Sequence, residues 1–556
     1  MKIVYFTDDQ LIHSFRTINP FDNYRWLQTT MILRKASRTL AIIAGIILAL
    51  PVMAQSIHSL FPTATYRNPV IAGDFADPSV IRVGNIYYAV GTSSEWGPAF
   101  PIYSSGDLIN WTYVGPVFTN LPSWTMGSFW APELYYGDGT FYVYYTARRK
   151  TDKHSFIGVA STRNLRQGFT DHGLLLEWTS EAIDPFIIED THKRYITWKA
   201  YGLDKGKAIE ILGAELAPDG LKVTGQAFTL LKAAQMGWEA GGAEGQALFK
   251  RGRYYYMLYS GNTCCGPQCN YQVGLARADK LRGPWEKFTG NPVLISDDTW
   301  KCPGHGTVVT TPDNRYFYLH HAYNGVDFTF TGRQGILSEL VWDEQTQWPV
   351  FRYGTSPPAQ AESPLKTHQQ PIADLSTNFT DKADKLPWVW DVSLPPPIFT
   401  VQEGKLQLLH TTAGPAGSFL GLVINKGTYT FSVDISPQEN LLQSICLYGD
   451  ATNALGLGIL GDSLELWQVK DGIRQVLKKL LRTQKLPDAT LQVRSYAGRF
   501  YEFGSLTKEG TFQRIAEAPV DGSFLPRWDR APRIGISVSG QQKSTSLVRS
   551  VSMKYD

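Results

Sequence analysis

The sequence predicts an all-β protein in which a five-bladed β-propeller is followed by a β-sandwich. Three observations support this prediction. Five segments share one pattern, a polar residue followed by an apolar strand, a turn and an aromatic strand. No stretch after Ala54 has a helical period of apolar residues. Beyond a stretch rich in proline and serine at 355–364, short alternating strands such as Leu406-Gln-Leu-Leu recur between turns, as in a sandwich.

The N-terminal region, residues 1–54, is predicted to be a leader. A basic segment precedes an apolar run from Leu40 to Leu50, and small residues end at the predicted cleavage point after Ala54. The run is about half of the roughly 20 residues that span a bilayer, so we expect a cleaved signal peptide, with a retained anchor as the alternative. The protein is then secreted, periplasmic or extracellular. Residues 1–30 carry acidic residues and no period, so Met31 is the predicted true start.

Charge and cysteine content narrow the choice of partners. With 53 basic and 50 acidic residues, the chain has a formal charge of +3 and no basic stripe or acidic tail, which argues against nucleic acid or anionic lipid and favours a neutral substrate. Cys264, Cys265, Cys269 and Cys302 cluster in the sequence. Their Cys-Cys-x-x-x-Cys spacing favours one or two structural disulfides over a metal site. Cys446 is expected to be free and buried.

The five blades are predicted from the spacing of the polar residues that open each repeat. Asp77, Glu133, Asp184, Glu244 and His305 are 56, 51, 60 and 61 positions apart, which is room for four strands with loops. If each residue begins the innermost strand of its blade, all five point toward one axis. The sequence therefore predicts a central pocket that holds them. The alternative is that Asp-Pro and similar pairs only form turns where the blades begin.

A pocket with several carboxyl groups suits the hydrolysis of an acetal. This reaction needs one carboxylic acid that stays protonated, to protonate the leaving oxygen, and one carboxylate that stays ionised. Crowding the acids separates their pKa values, because like charges close together cannot all ionise.

The repeat motifs resemble those of glycoside hydrolase family 43 over roughly residues 66–353. They are Asn68-Pro-Val-Ile-Ala-Gly-Asp-Phe-Ala-Asp77-Pro, Trp130-Ala-Pro-Glu133, Ile183-Asp184-Pro, Glu244-Gly, Gly304-His305-Gly and Gly332-Arg333. The resemblance implies an inverting O-glycosyl hydrolase in which Asp77 is the general base and Glu244 the general acid. It also implies that Asp184 orients the acid and raises its pKa, whereas Glu133 belongs to the pocket wall.

Two further residues take expected roles from this resemblance. Arg333 matches an arginine that binds sugar hydroxyls near the base. His305 matches a histidine that holds a calcium or sodium ion through water, with a hydrogen-bonded histidine without metal as the equal alternative. We expect no organic cofactor.

Aromatic side chains near the start of the blades are predicted to form the sugar subsites, because sugar rings pack their C–H faces on such groups. For each of them, packing in the core is the alternative. They are Trp96, Phe129, Trp130 and Trp198.

The predicted organisation is a catalytic propeller at 55–356, a linker at 357–370 and an accessory sandwich at 371–556, with no membrane span in the mature chain. The start of the sandwich resembles that appended to β-xylosidases and arabinofuranosidases, so we expect an exo-acting enzyme that removes arabinose or xylose from plant cell-wall polysaccharide. The alternatives are an endo-arabinanase or exo-galactanase of the same family, and a non-catalytic carbohydrate-binding propeller. A fructan-cleaving propeller is disfavoured because its Asn-Asp-Pro-Asn pattern is absent.

Overall fold

The computed structural model describes residues 64–380, 386–411, 414–482, 488–541 and 543–556. The predicted leader, its cleavage point and Met31 lie outside these residues. Of the described part, 64–556 belongs to a single unit in which both predicted domains pack together. No helix in the described part of the chain has the length and apolar character that crossing a membrane requires.

Five four-stranded antiparallel sheets form the blades, and each follows the chain order of its strands. A short strand, β1 (Thr65–Arg67), precedes them. Blade I contains β2 (Ser79–Val83), β3 (Ile86–Val90), β5 (Ala99–Ser105) and β6 (Thr112–Phe118), with the two-residue β4 (Trp96–Gly97) between β3 and β5. Blade II contains β7 (Trp130–Gly137), β8 (Thr140–Arg148), β9 (Ser155–Thr162) and β10 (Thr170–Leu176).

The remaining blades repeat this order. Blade III contains β11 (Ala182–Asp190), β12 (Lys193–Ala200), β13 (Glu210–Glu215) and β14 (Phe228–Lys232). Blade IV contains β15 (Glu244–Arg251), β16 (Tyr254–Gly261), β17 (Gln272–Ala278) and β18 (Glu286–Lys287). Blade V contains β19 (Trp300–Thr310), β20 (Tyr316–Asn324), β21 (Arg333–Trp342) and β22 (Pro349–Phe351). Single 3₁₀ turns occur at Leu165–Gln167, Gly237–Glu239 and Phe328–Phe330.

The first strands of the blades form a closed ring. Each of them contacts the first strand of the next blade, and β19 of blade V contacts β2 of blade I. Apolar side chains fill the space between neighbouring blades, as where Val80 and Ala89 of blade I meet Phe317 and Leu337 of blade V. The all-β propeller predicted from the repeat is confirmed.

The segment between the propeller and the second domain packs against the first blades. Strand β23 (Gln360–Glu362) pairs with β1, and Arg315 donates hydrogen bonds to the carbonyl groups of Ser363 and Pro364. Part of the segment predicted as a linker is therefore fixed by backbone and side-chain hydrogen bonds.

The second domain consists of two facing antiparallel sheets around one apolar core, which fits the predicted sandwich. One sheet contains β24 (Leu375–Thr377), β26 (Ile398–Gln402), β27 (Lys405–Leu409), β29 (Tyr429–Ile435), β34 (Ala489–Tyr496), β35 (Phe500–Leu506), β36 (Phe512–Arg514), β37 (Val520–Asp521) and β39 (Thr545–Tyr555). The other contains β28 (Ser418–Leu422), β30 (Leu441–Asp450), β31 (Asn453–Leu460), β32 (Ser463–Lys470), β33 (Ile473–Leu481) and β38 (Arg533–Gly540).

The two domains are joined by strand pairing and by buried charges. Strand β25 (Trp390–Asp391) pairs with β4 of blade I. A guanidinium nitrogen of Arg533 lies 3.2 Å from Oδ2 of Asp74, and both side chains are almost fully buried. These contacts fix the second domain against the face of the propeller where the blades begin.

Candidate active site

Every blade begins near a residue in the left-handed backbone conformation, and side chains at this point are directed toward the propeller axis. The φ angles at these positions are 51° at Asp77, 43° at Ala131, 57° at Asp184, 60° at Gly245 and 37° at His305. In blades II to V the pairing of the first two strands is interrupted at this position. Such backbone is costly for residues other than glycine and recurs at functional sites.

This backbone landmark corrects the sequence register of two blades. The equivalent residue of blade II is Ala131, so Glu133 lies two positions further along its strand, and Glu244 lies one position before Gly245. Glu133 bonds Ser79, which likewise lies two positions after the left-handed residue of its blade, so the two residues lie one layer below the pocket. The expectation that Glu133 opens into the pocket with the other four residues is therefore wrong.

Glu133 is instead enclosed below the pocket. Its Oε2 accepts a hydrogen bond of 2.7 Å from Ser79 Oγ, and its Oε1 accepts one from the backbone N–H of Ile187 at 3.3 Å. Burial raises its pKa to about 8, so this carboxyl group is neutral at pH 7.

Asp77, Asp184, Glu244 and His305 do line one cavity of about 440 Å³. The imidazole Nδ1 of His305 lies between two of the acids, 3.5 Å from Oδ1 of Asp77 and 3.9 Å from Oδ2 of Asp184. The backbone N–H of Gly245 donates to Oδ2 of Asp184 at 3.2 Å. The three acids predicted from distant repeats are thus brought to a common cavity.

Gly245 is required where it stands. A methyl group at this position would lie 2.6 Å from Cγ of His305, well inside contact distance, and φ is 60°. Only glycine lets the first strand of blade IV pass so close to the histidine of blade V.

Asp77 is held as an anion by fixed groups. Arg333 Nη1 lies 3.1 Å from its Oδ1, Thr92 Oγ1 donates to its Oδ2 at 2.6 Å, and His321 Nδ1 lies 3.1 Å from both its Oδ1 and its backbone nitrogen. Burial works to raise the pKa of Asp77, but the charge of Arg333, together with His305 and His321, outweighs it and holds that pKa well below its usual range. Asp77 is therefore ionised at neutral pH.

Glu244 has a different set of partners. Lys199 Nζ lies 2.7 Å from its Oε2, and Tyr271 donates its hydroxyl hydrogen to its Oε1 at 2.8 Å. Burial favours the neutral acid, but Lys199 and then Tyr271 outweigh it, so the pKa of Glu244 is lowered. The pKa of Asp184 moves the other way. Burial raises it to about 6, and the negative charge of Glu244 adds to the rise.

Of the aromatic residues predicted to bind sugar, one lines the cavity and three are buried elsewhere. Trp130 lines the cavity. Trp96 is buried at the contact between the domains, where it packs on Tyr448, so its predicted subsite role is wrong. Phe129 and Trp198 are fully buried in the blade cores, so the prediction that they contact sugar is wrong as well. Strands favour aromatic residues for packing, and their presence near a blade start carried no information about exposure.

Several lining residues were not predicted. Lys199 stands opposite Ile183 in the pairing of β12 with β11, so an antiparallel register drawn from Asp184 would have placed it at the pocket. Glu181 lies 3.9 Å from Lys199 Nζ. Trp528 and Asp529 come from the second domain, and nothing in the sequence relates their positions to the propeller.

The second domain reaches the base through Arg333. The Nη2 of this arginine donates to the backbone carbonyl of Asp529 at 3.1 Å, while its Nη1 faces Asp77. Oδ2 of Asp529 accepts a hydrogen bond of 3.2 Å from Nε1 of Trp130. Arg333 therefore lies in the pocket as predicted, and both of its terminal nitrogens have partners.

The donor set at His305 does not form an ion cage. Its Nδ1 faces two carboxylates directly, and among the described residues no three His, Cys, Asp or Glu side chains are grouped to ligate a metal. An ion that contacts the protein through water at His305 stays a prediction.

A family model described as Glycosyl hydrolases family 43 matches residues 66–349. The chain is 28% identical over 338 residues to a beta-xylosidase of Formosa agariphila and 27% identical over 356 residues to a xylan 1,3-beta-xylosidase of a Vibrio species. These alignments cover 55% and 57% of this chain but only 54% and 63% of the relatives. A non-reducing end alpha-L-arabinofuranosidase of Bacteroides ovatus is 27% identical over 437 residues, with 74% of this chain and 76% of that protein covered.

Solved structures share the architecture of both domains. A Bacteroides ovatus protein described as Xyloglucan PUL GH43B and a xylan beta-1,4-xylosidase of Bacillus halodurans each superpose with a TM-score of 0.76. Each is 20% identical in sequence, and each comparison covers 88% of this chain and 100% of the other. At that identity, the likeness establishes the fold.

Proposed function

The chain belongs to glycosyl hydrolases family 43, and from this premise we propose that it is an inverting glycosidase that removes arabinose or xylose from the ends of plant cell-wall polysaccharide. The observation that carries the proposal is the cavity in which Asp77, Asp184 and Glu244 meet. The names of its relatives, beta-xylosidase and alpha-L-arabinofuranosidase, support the choice of pentose.

The two ends of the cavity suit the two halves of the reaction. Asp77, ionised beside Arg333, takes a proton from a water molecule that attacks the anomeric carbon. Glu244 gives a proton to the leaving oxygen as the glycosidic bond breaks. Because the water attacks the face opposite to the departing group, the configuration inverts.

The proton for the leaving group comes from a coupled pair of carboxyl groups. Burial raises the pKa of Asp184 to about 6 and the negative charge of Glu244 adds to the rise, so the two groups titrate together and the pair holds one proton below about pH 6. Before substrate binds, Lys199 favours the anion of Glu244, which leaves this proton on Asp184. When a substrate oxygen takes over the hydrogen bond of Lys199, the proton moves to Glu244.

An exo mode of action fits the wall that the second domain adds. Trp528 and Asp529 of the second domain line the cavity, and Trp130 meets Trp528 with ring centroids 5.9 Å apart. A cavity of about 440 Å³ bounded in this way accommodates the end of a chain more readily than its middle.

A panel of substrates tests the proposal. We expect the purified protein to release a single pentose from nitrophenyl arabinofuranoside or nitrophenyl xyloside and from arabinoxylan, with the inverted anomer appearing first in the proton NMR spectrum. Release of oligosaccharides from arabinan would replace the proposal by an endo-arabinanase. Binding of these sugars without any release would leave a non-catalytic carbohydrate-binding propeller.

We also propose export of the protein. The basic and apolar segment that ends at Ala54 supports it, and so do the disulfides Cys264–Cys265 and Cys269–Cys302, since such bonds persist in oxidising compartments. N-terminal sequencing of the protein from the culture medium or periplasm is expected to begin just after Ala54. A mature protein that starts upstream of Leu40 would contradict cleavage.

A further inference from the structure

One wall of the cavity contains a disulfide between adjacent residues. Cys264 and Cys265 are bonded to each other, and both line the cavity that contains Asp77 and Glu244. Both cysteines are only partly buried. The remaining described cysteines are placed differently, because Cys269 and Cys302 pair within an apolar cluster and Cys446 is a buried free thiol.

The loop that carries this disulfide is fastened on several sides. The Cys269–Cys302 bond ties it to β19, and the backbone N–H of Gly266 donates to the hydroxyl of Tyr323 at 3.2 Å. A Cβ atom at Gly266 would lie 3.4 Å from the backbone oxygen of Trp528, so the loop touches the second domain. Tyr271, which follows the loop, holds Glu244. The position of the disulfide is therefore coupled to the acid and to the cavity wall.

The cavity that the disulfide lines has apolar as well as charged side chains in its lining. Trp130, Ile183, Leu203 and Trp528 line the cavity with it. Disulfide sulfur is polarisable and has no hydrogen to donate, so it packs well against C–H groups. A pentose ring has C–H groups that can pack on the disulfide and hydroxyl groups that can bond the charged side chains of the cavity.

We propose that the Cys264–Cys265 disulfide is a sugar-binding platform, on which the C–H groups of a pentose ring rest while its hydroxyls face the charged side chains of the cavity. The inference rests on the proposed function and adds to it a contact that sets affinity for the sugar. It also makes affinity depend on oxidation, because two separate thiols do not present the continuous sulfur surface of the bond.

The variant Cys264→Ser/Cys265→Ser removes the platform and leaves Cys269–Cys302 in place. With nitrophenyl arabinofuranoside or xyloside, we expect KM to rise about tenfold while kcat changes less than about threefold. Calorimetric titration with L-arabinose and D-xylose is expected to show the same tenfold weakening for the preferred sugar. The matched control is Gln268→Ala, an exposed position in the same loop, for which both quantities should stay within about twofold of wild type.

Unchanged KM and Kd in the folded double variant would overturn the platform, and so would a wild-type protein that binds neither pentose. If the double variant does not fold, the test uses wild-type protein treated with limited reductant. The cysteines that are reduced are alkylated and identified by peptide mass, and sugar affinity is measured on the same sample. Loss of sugar affinity must then follow the opening of Cys264–Cys265. A wild type that binds pentose but hydrolyses no pentoside would sink the proposed function and leave the platform standing.

Discussion

The two ends of the cavity hold their carboxyl groups in different ways. At the blade I end, Asp77 is fixed by Arg333, Thr92 and His321, all of which are buried. At the blade IV end, Glu244 is held by Tyr271 and by Lys199, whose ammonium group also lies 3.9 Å from Glu181. The base is thus paired with a guanidinium group, which stays charged at any working pH, whereas the acid shares its lysine with a second carboxyl group.

Removing Asp77 should have the largest effect on turnover. Asp77→Ala deletes the group that activates water, so we expect kcat to fall by about 10⁴-fold, whatever the leaving group. The measurement compares nitrophenyl and dinitrophenyl pentosides with xylobiose or arabinobiose, and circular dichroism verifies the fold. A variant that keeps more than a tenth of wild-type turnover would remove Asp77 from the mechanism.

The effect of removing Glu244 should depend on the leaving group. Glu244→Ala lowers kcat on a pentose disaccharide by about 10³-fold, because the sugar alkoxide leaves poorly without a proton. Dinitrophenolate leaves unaided, so the same variant should lose less than about tenfold on the dinitrophenyl pentoside. Equal losses on both substrates would contradict the role of Glu244 as the acid.

The partner of the acid sets the alkaline limb of activity. The burial-raised pKa of Asp184 places the loss of the shared proton near pH 6, so kcat/KM of the wild type should fall as the pH rises above about 6. Lys199→Met removes the charge that lowers the pKa of Glu244, so this limb should move to higher pH by about one unit. If kcat/KM of the variant is lower at every pH and the pH of the alkaline limb is unchanged, Lys199 only shapes the pocket.

Glu133, one layer below, should tolerate the loss of its acidity. Its pKa of about 8 means that it is neutral at pH 7, so Glu133→Gln should keep kcat within about threefold. The folded wild type holds this proton, which the unfolded chain releases above its ordinary carboxyl pKa, so the free energy of unfolding falls as the pH rises toward 8. The melting temperature should therefore fall less between pH 5 and pH 8 for the variant than for the wild type. A decline equal to that of the wild type would show that Glu133 is already ionised in the fold.

The repeat made the propeller and its three acids predictable, because equivalent positions in five blades must converge on the axis. The sequence could not reveal which residue of each motif adopts the left-handed backbone, and an offset of two positions sent Glu133 below the pocket. Exposure of aromatic residues was equally hidden, since Trp96 and Trp198 pack in cores as well as any strand residue. Trp528 was beyond reach because its place depends on how two domains dock.

Arg333 holds one nitrogen on Asp77 and the other on the backbone of Asp529. The counterion of the base is thus shared between two domains that could otherwise be inherited or exchanged as separate modules. Replacing the second domain would leave every residue of the acid cluster in place and still change the contacts of Arg333. Cutting the second domain away would therefore remove the carbonyl group that this nitrogen of Arg333 now bonds.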